Sequence, residues 1–166
     1  YSDVLNHNLI SICKPLIDMG YYLDTDGRLK GNSRVAVDMP WIFAAQDDHR
    51  KCNLWHGIFF NVFGWLPSGC TKCWKVVVRP HTLRQLFDLH EFQKELEWPG
   101  KCGIEVRQTV CGLYGGYFYA DSLEQGRHVC SIVKKVVQER IGEDVPVLLK
   151  RGCTEMEHKY GDSSKW

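Results

Sequence analysis

The sequence predicts an α+β fold in which a β-α-β-β-α-β half, about residues 74–151, carries an N-terminal, mostly helical elaboration packed on it. Three observations predict it. A β-branched run at residues 74–79 and a final strand pattern at 145–150, with Pro146 at its start, bracket the segment. Two Ser/Thr-x-x-Gln capping boxes, Thr82 with Gln85 and Ser122 with Gln125, each open a helix-period stretch. Between those stretches, residues 103–110 and 114–119 read as a pair of strands joined by a glycine turn.

The N-terminal elements come first. Leu5, Leu9, Ile12, Leu16 and Met19 follow one another at steps of four, three, four and three, which predicts a helix over residues 3–19 stopped by Gly20 and kinked at Pro15. Asp24-Thr25-Asp26-Gly27 is a turn between two short extended pieces. Asp38 as a cap and Pro40 in the first turn predict a second helix that begins around Trp41. Residues 58–63, an unbroken apolar run apart from Asn61, fit either a buried strand or a buried helix. Leu66-Pro67-Ser68-Gly69 breaks the chain, so we expect residues 1–166 to form one compact domain, with residues 1–68 as the elaboration and 69–166 as the cysteine-rich half.

The second half is easier to follow. Residues 74–79 form a strand ended by Pro80, and Thr82 caps a helix running to about Trp98. Residues 103–110 alternate with period two, which places Ile104, Val106 and Val110 on a buried face and Glu105, Arg107 and Thr109 opposite. Cys111-Gly112-Leu113 turns the chain into the aromatic strand 114–119. Gly126, Cys130, Val133, Val137 and Ile141 then mark one helix face, closed by Gly142, and residues 145–150 give the last strand. In order of elements, this half resembles the split βαβ arrangement of ferredoxin-like folds; the resemblance is one of order only.

Six of the eight cysteines lie from residue 70 onward. In such a topology the starts of the first two strands share an end of the sheet with the finish of the last two. Cys70 and Cys73 precede the first strand, Cys102 precedes the second and Cys153 follows the fourth, so all four are expected at one rim. Cys111 belongs to the opposite rim and Cys130 to a helix. Four thiolates suit an iron–sulfur cluster, 4Fe-4S in type, or a tetrahedral zinc site. One Cys-x-x-Cys pair followed by single cysteines after 28 and 50 intervening residues favours a cluster over the paired motifs of zinc ribbons. Cys102, the most distant, is the doubtful fourth ligand, and three thiolates would leave one iron open to a substrate or redox partner. Thiols that are simply packed or redox-paired are the metal-free alternative.

Weaker candidates follow. At helical spacing His49, Cys52 and His56 share a face compatible with metal binding or a His-assisted thiol nucleophile; a solvated helix end explains them as well. Glu155 and His158 lie just beyond Cys153, where acid–base groups near a metal would sit. Tyr117 and Tyr119, with Lys75 and Arg79 on the neighbouring strand, invite comparison with RNA-stacking sheets, but core packing is the expected role. Lys and Arg number 21 against 20 Asp and Glu, a formal charge of +1, so no field of one sign favours a polyanion; nucleic acid is possible but not favoured. No stretch suits a membrane span. Cysteines on helix patterns argue against a disulfide framework and for reduced, cytoplasmic thiols.

Overall fold

A computed structural model describes residues 11, 14, 17–18, 20–23, 25, 29–31, 41–45, 60, 64–66, 68–106, 110 and 112–166. The chain divides into two compact units, residues 1–39 with 50–65, and residues 40–49 with 66–166. In the first unit, β1 (Tyr21–Leu23) pairs antiparallel with β2 (Leu29–Gly31). Ser11, Lys14, Ile17 and Asp18 are helical, and Lys14 Nζ lies 3.2 Å from Asp18 one turn on. The apolar positions that predict that helix, and residues 58–59 and 61–63, lie outside the described residues.

The second unit is an α+β structure: a five-stranded antiparallel sheet with three α-helices among the described residues. Its elements are β3 (Trp41–Ala45), β4 (Trp74–Val78), α1 (Leu83–Leu96), β5 (Gly100–Ile104), β6 (Tyr114–Ala120), α2 (Leu123–Arg140), β7 (Val147–Arg151) and α3 (Thr154–Tyr160). The strand order is β3-β5-β6-β4-β7. Val76, Val78, Cys102 and Phe118 face α1 and α2, where Leu86, Leu89, Phe92, Val129, Val133 and Val137 complete the core. Gly116 lets α1 approach the sheet, because a Cβ there would lie 2.3 Å from the Leu89 side chain.

Both helix starts lie at the capping boxes. Thr82 accepts from Gln85 N, and the Gln85 side chain accepts in return from Thr82 N, which satisfies two of the donors left open at a helix start. Ser122 accepts from Gln125 N, while Gln125 Oε1 takes the N–H of Asp121 instead, one residue earlier.

Two sequence expectations need correction. The helix expected to begin around Trp41 is instead strand β3, an edge strand paired with β5. Trp, Ile and Phe suit a pleated surface, and ladder bonds to β5 outweigh the local cap signal. The second strand of the β-α-β-β-α-β half spans Gly100–Ile104 rather than 103–110, and the burial expected at its end is reversed. Glu105 is buried, whereas Ile104 and Val106 are 43% and 67% exposed. Gln93, buried in α1, anchors this earlier start by donating to the carbonyls of Lys101 and Tyr117.

Candidate functional site

The earlier strand start moves one cysteine. Cys102 sits in the middle of β5, paired with Gly116, which is itself opposite Val78 at the far end of β4. Cys73 lies five residues back along β4 and two strands across, roughly 16 Å along the sheet and 10 Å over. Cys102 is 1% exposed within the apolar core, and burial pushes its thiol up to about 11. The expectation that four cysteines meet at one rim therefore fails for Cys102: its side chain points into the helix-packed core. Cys130, on α2, is raised by burial, with Lys134 opposing the effect.

Cys70, Cys73 and Cys153 remain at the rim. Cys70 lies in a short 3₁₀ turn, Ser68–Thr71, and Cys73 directly precedes β4. The β4–β7 ladder continues past Trp74 and Arg151, because Gly152 N donates to the Cys73 carbonyl at 2.8 Å. Gly152 has φ +63° and lies against the Trp166 ring, so a side chain there would be strained and would clash. This left-handed residue interrupts the strand's alternation and turns Cys153 toward the face of the sheet away from the helices.

Lys75 occupies that face. It alternates with Val76 along β4 and is 8% exposed, and its Nζ donates to Cys153 Sγ at 2.9 Å. The ammonium also lies 5.6 Å from the Tyr119 ring centre. Burial is the largest influence on Lys75 and opposes its charge, but Cys153, Tyr119 and Cys73 together outweigh it and hold the amine well above the ordinary lysine value. Lys150, directly opposite Lys75 in register, is itself engaged by Thr154 and Glu157. Burial works against the Glu157 carboxylate, yet Lys150 and Ser163 lower it. A buried ammonium in hydrogen-bond contact with a sulfur is an electropositive surrounding of the kind found at reactive cysteines.

The other end of the same face carries a second buried polar group. Tyr117 donates to Glu105 Oε2 at 2.8 Å and accepts from Arg79 at 3.0 Å; Arg79 lies 3.9 Å from the Glu105 carboxylate. Lys101 Nζ lies 4.5 Å from the Trp41 ring centre and 5.8 Å from that of Tyr117. Tyr117 is 5% exposed, which removes its ring as an open platform for base stacking.

His49, Cys52 and His56, and the hairpin Cys111, lie outside the described residues. Glu155 and His158 belong to α3, the helix that follows Cys153. Among the described residues no group of three or more His, Cys, Asp or Glu side chains is arranged to hold a metal ion. Cys102, in the core, is separated from the other three cysteines of the expected set, Cys70, Cys73 and Cys153. Nor is any helix among them long and apolar enough to cross a membrane. Sequence reasoning had noted Lys75, but only as a flank to the aromatic strand; its spacing of two from Cys73 was the available signal for a charge beside the thiols. Comparison with protein-family models, curated proteins and solved structures finds no match for this chain.

Proposed function

We propose that the chain is a thiol-chemistry protein whose reactive group is Cys153, charge-compensated by Lys75, at one rim of a ferredoxin-like sheet extended by β3. The element order, and the order β7-β4-β6-β5 within the sheet, support that fold assignment. The observation that carries the function is the hydrogen bond from a buried ammonium to the Cys153 sulfur. A desolvated lysine gains little from a neutral thiol, and a thiolate answers its charge. The reaction class is attack by sulfur on an electrophilic sulfur or carbon of a small-molecule or protein partner.

A metal centre, iron–sulfur or zinc, is the competing reading, now restricted to Cys70, Cys73 and Cys153; their shared rim is what favours it. One preparation separates the two. The chain purified without oxygen is assayed for iron, sulfide and zinc, then treated with a limiting amount of a chromogenic aromatic disulfide. The thiol reading predicts metal-free protein in which Cys153 is the first cysteine modified. Stoichiometric iron with sulfide, or one zinc per chain, with the rim cysteines protected until chelation, would establish the metal reading instead.

A further inference from the structure

We infer that Cys73 is the resolving partner of Cys153, the two closing a reversible disulfide across the end of the β4–β7 ladder; this rests on Cys153 being the reactive thiol. Three features of the fold point to Cys73 rather than to Cys70, its neighbour in the Cys-x-x-Cys pair.

The first is register. Cys73 lies opposite Gly152, its carbonyl accepting the Gly152 N–H. Opposed residues in an antiparallel pair are about 5 Å apart and one step along adds about 3.3 Å. Continued ladder spacing would put the Cα atoms of Cys73 and Cys153 about 6 Å apart, inside the disulfide range of roughly 4.4–6.8 Å. The second is direction. Cys73 is two residues before Lys75 on β4, on the Lys75 side of the strand, and the left-handed Gly152 turns Cys153 to that same side. The third is the place of Cys70, which sits back in the 3₁₀ turn, buried, whereas Cys73 directly precedes β4.

The step balances with a disulfide as oxidant. Cys153, as thiolate, attacks a disulfide RSSR, forms Cys153–S–SR and releases one thiolate, RS⁻. The Cys73 thiol gives up its proton to that thiolate or to solvent and attacks the Cys153 sulfur, which forms the Cys73–Cys153 bond and expels the second RS⁻. The protein loses two electrons, and one RSSR becomes two reduced thiols. Closure also removes the Cys153 thiolate that faces Lys75. The ammonium is left buried beside Lys150, whose own counter-charge is Glu157, and beside Tyr119, so the oxidised protein should expose a more reactive amine at Lys75.

The test uses the reduced full chain and oxidised glutathione, followed by peptide mapping under acid quench and by brief acetic anhydride labelling of amines. We expect a Cys73–Cys153 linked peptide pair, several-fold more acetylation of Lys75 after oxidation, and, in Cys73→Ser, glutathione trapped on Cys153. A Cys70–Cys73 bridge, or glutathione persisting on Cys153 in the wild-type chain, overturns the pairing while leaving Cys153 as the reactive thiol. Cys153 untouched by glutathione overturns both. Because wild-type protein gives the decisive map, a variant that fails to fold does not obscure the result.

Discussion

Two buried polar groups share the face of the sheet that turns away from the helices, and they are built from different chemistry. At the hairpin end, the Tyr117 hydroxyl accepts from the Arg79 guanidinium and donates to the Glu105 carboxylate, with guanidinium and carboxylate 3.9 Å apart. At the rim, the Lys75 ammonium is answered by sulfur. None of these three groups takes part in thiol–disulfide exchange, so the first set is a permanent fixture of the fold, the same in reduced and oxidised protein. A sulfur keeps its charge only while it is reduced, ionised and unbonded, so the second set ties the environment of a buried cation to the chemical state of Cys153. The comparison separates a polar group that holds the structure from one that can respond.

The largest expected effect lies at the hairpin end. Glu105→Leu removes the carboxylate that faces the partly buried Arg79 and accepts from the Tyr117 hydroxyl, and should cost about 3–5 kcal/mol of stability in a urea titration. A loss under 1 kcal/mol would mean that this set is not the permanent fixture described. Cys102 offers a contrast in the core. Its native value near 11 exceeds the unfolded value of 9.0, so the native state binds the proton more tightly. That contribution is complete below about pH 9 and is lost as pH rises toward 11, amounting to about 2–3 kcal/mol. Lys75, raised above its unfolded value of 10.5, adds a loss of the same sign at still higher pH. Cys102→Ala should flatten the alkaline limb between pH 9 and 11 while leaving rim chemistry unchanged; altered Cys153 reactivity in that variant would contradict the separation of the two cysteines.

Gly152→Ala tests the turn that directs Cys153. Strain at φ +63° and the contact with Trp166 should cost about 1–2 kcal/mol in thermal unfolding. It should also slow Cys153 modification, and an unaffected rate would show that the turn does not aim the sulfur. The smallest effect is expected at Tyr119, whose ring faces Lys75 at 5.6 Å. Replacement by Leu should lower stability by about 0.5–1 kcal/mol. Cys153 reactivity should change little.

Much of the fold was legible because its signals are local. Thr82 with Gln85, and Ser122 with Gln125, mark helix starts through bonds made within four residues. The run at β4 needed only β-branched composition, and the one at β7 only a short apolar stretch after Pro146. What misled was decided by distant partners. The cap-like Asp38 and Pro40 gave way to pairing between Trp41 and Gly103. The alternation of Ile104, Val106 and Val110 gave way to Gln93, which anchors an earlier strand, and to Arg79 and Tyr117, which make a buried Glu105 tolerable. That shift of strand start is what took Cys102 out of the rim. The site was half legible: topology brought the flanks of β4 and β7 to one end, whereas the contact between Lys75 and Cys153 depends on ladder register and on a left-handed glycine.

The rate at which iodoacetamide alkylates Cys153, read by peptide mass spectrometry at pH 7.5 in wild-type and Lys75→Met chains, tests the central claim most directly. The account predicts that Cys153 reacts well ahead of Cys102 and Cys130, and that Lys75→Met slows it about tenfold while both chains remain folded. Equal rates in the two chains, or a Cys153 no faster than Cys130, would contradict it.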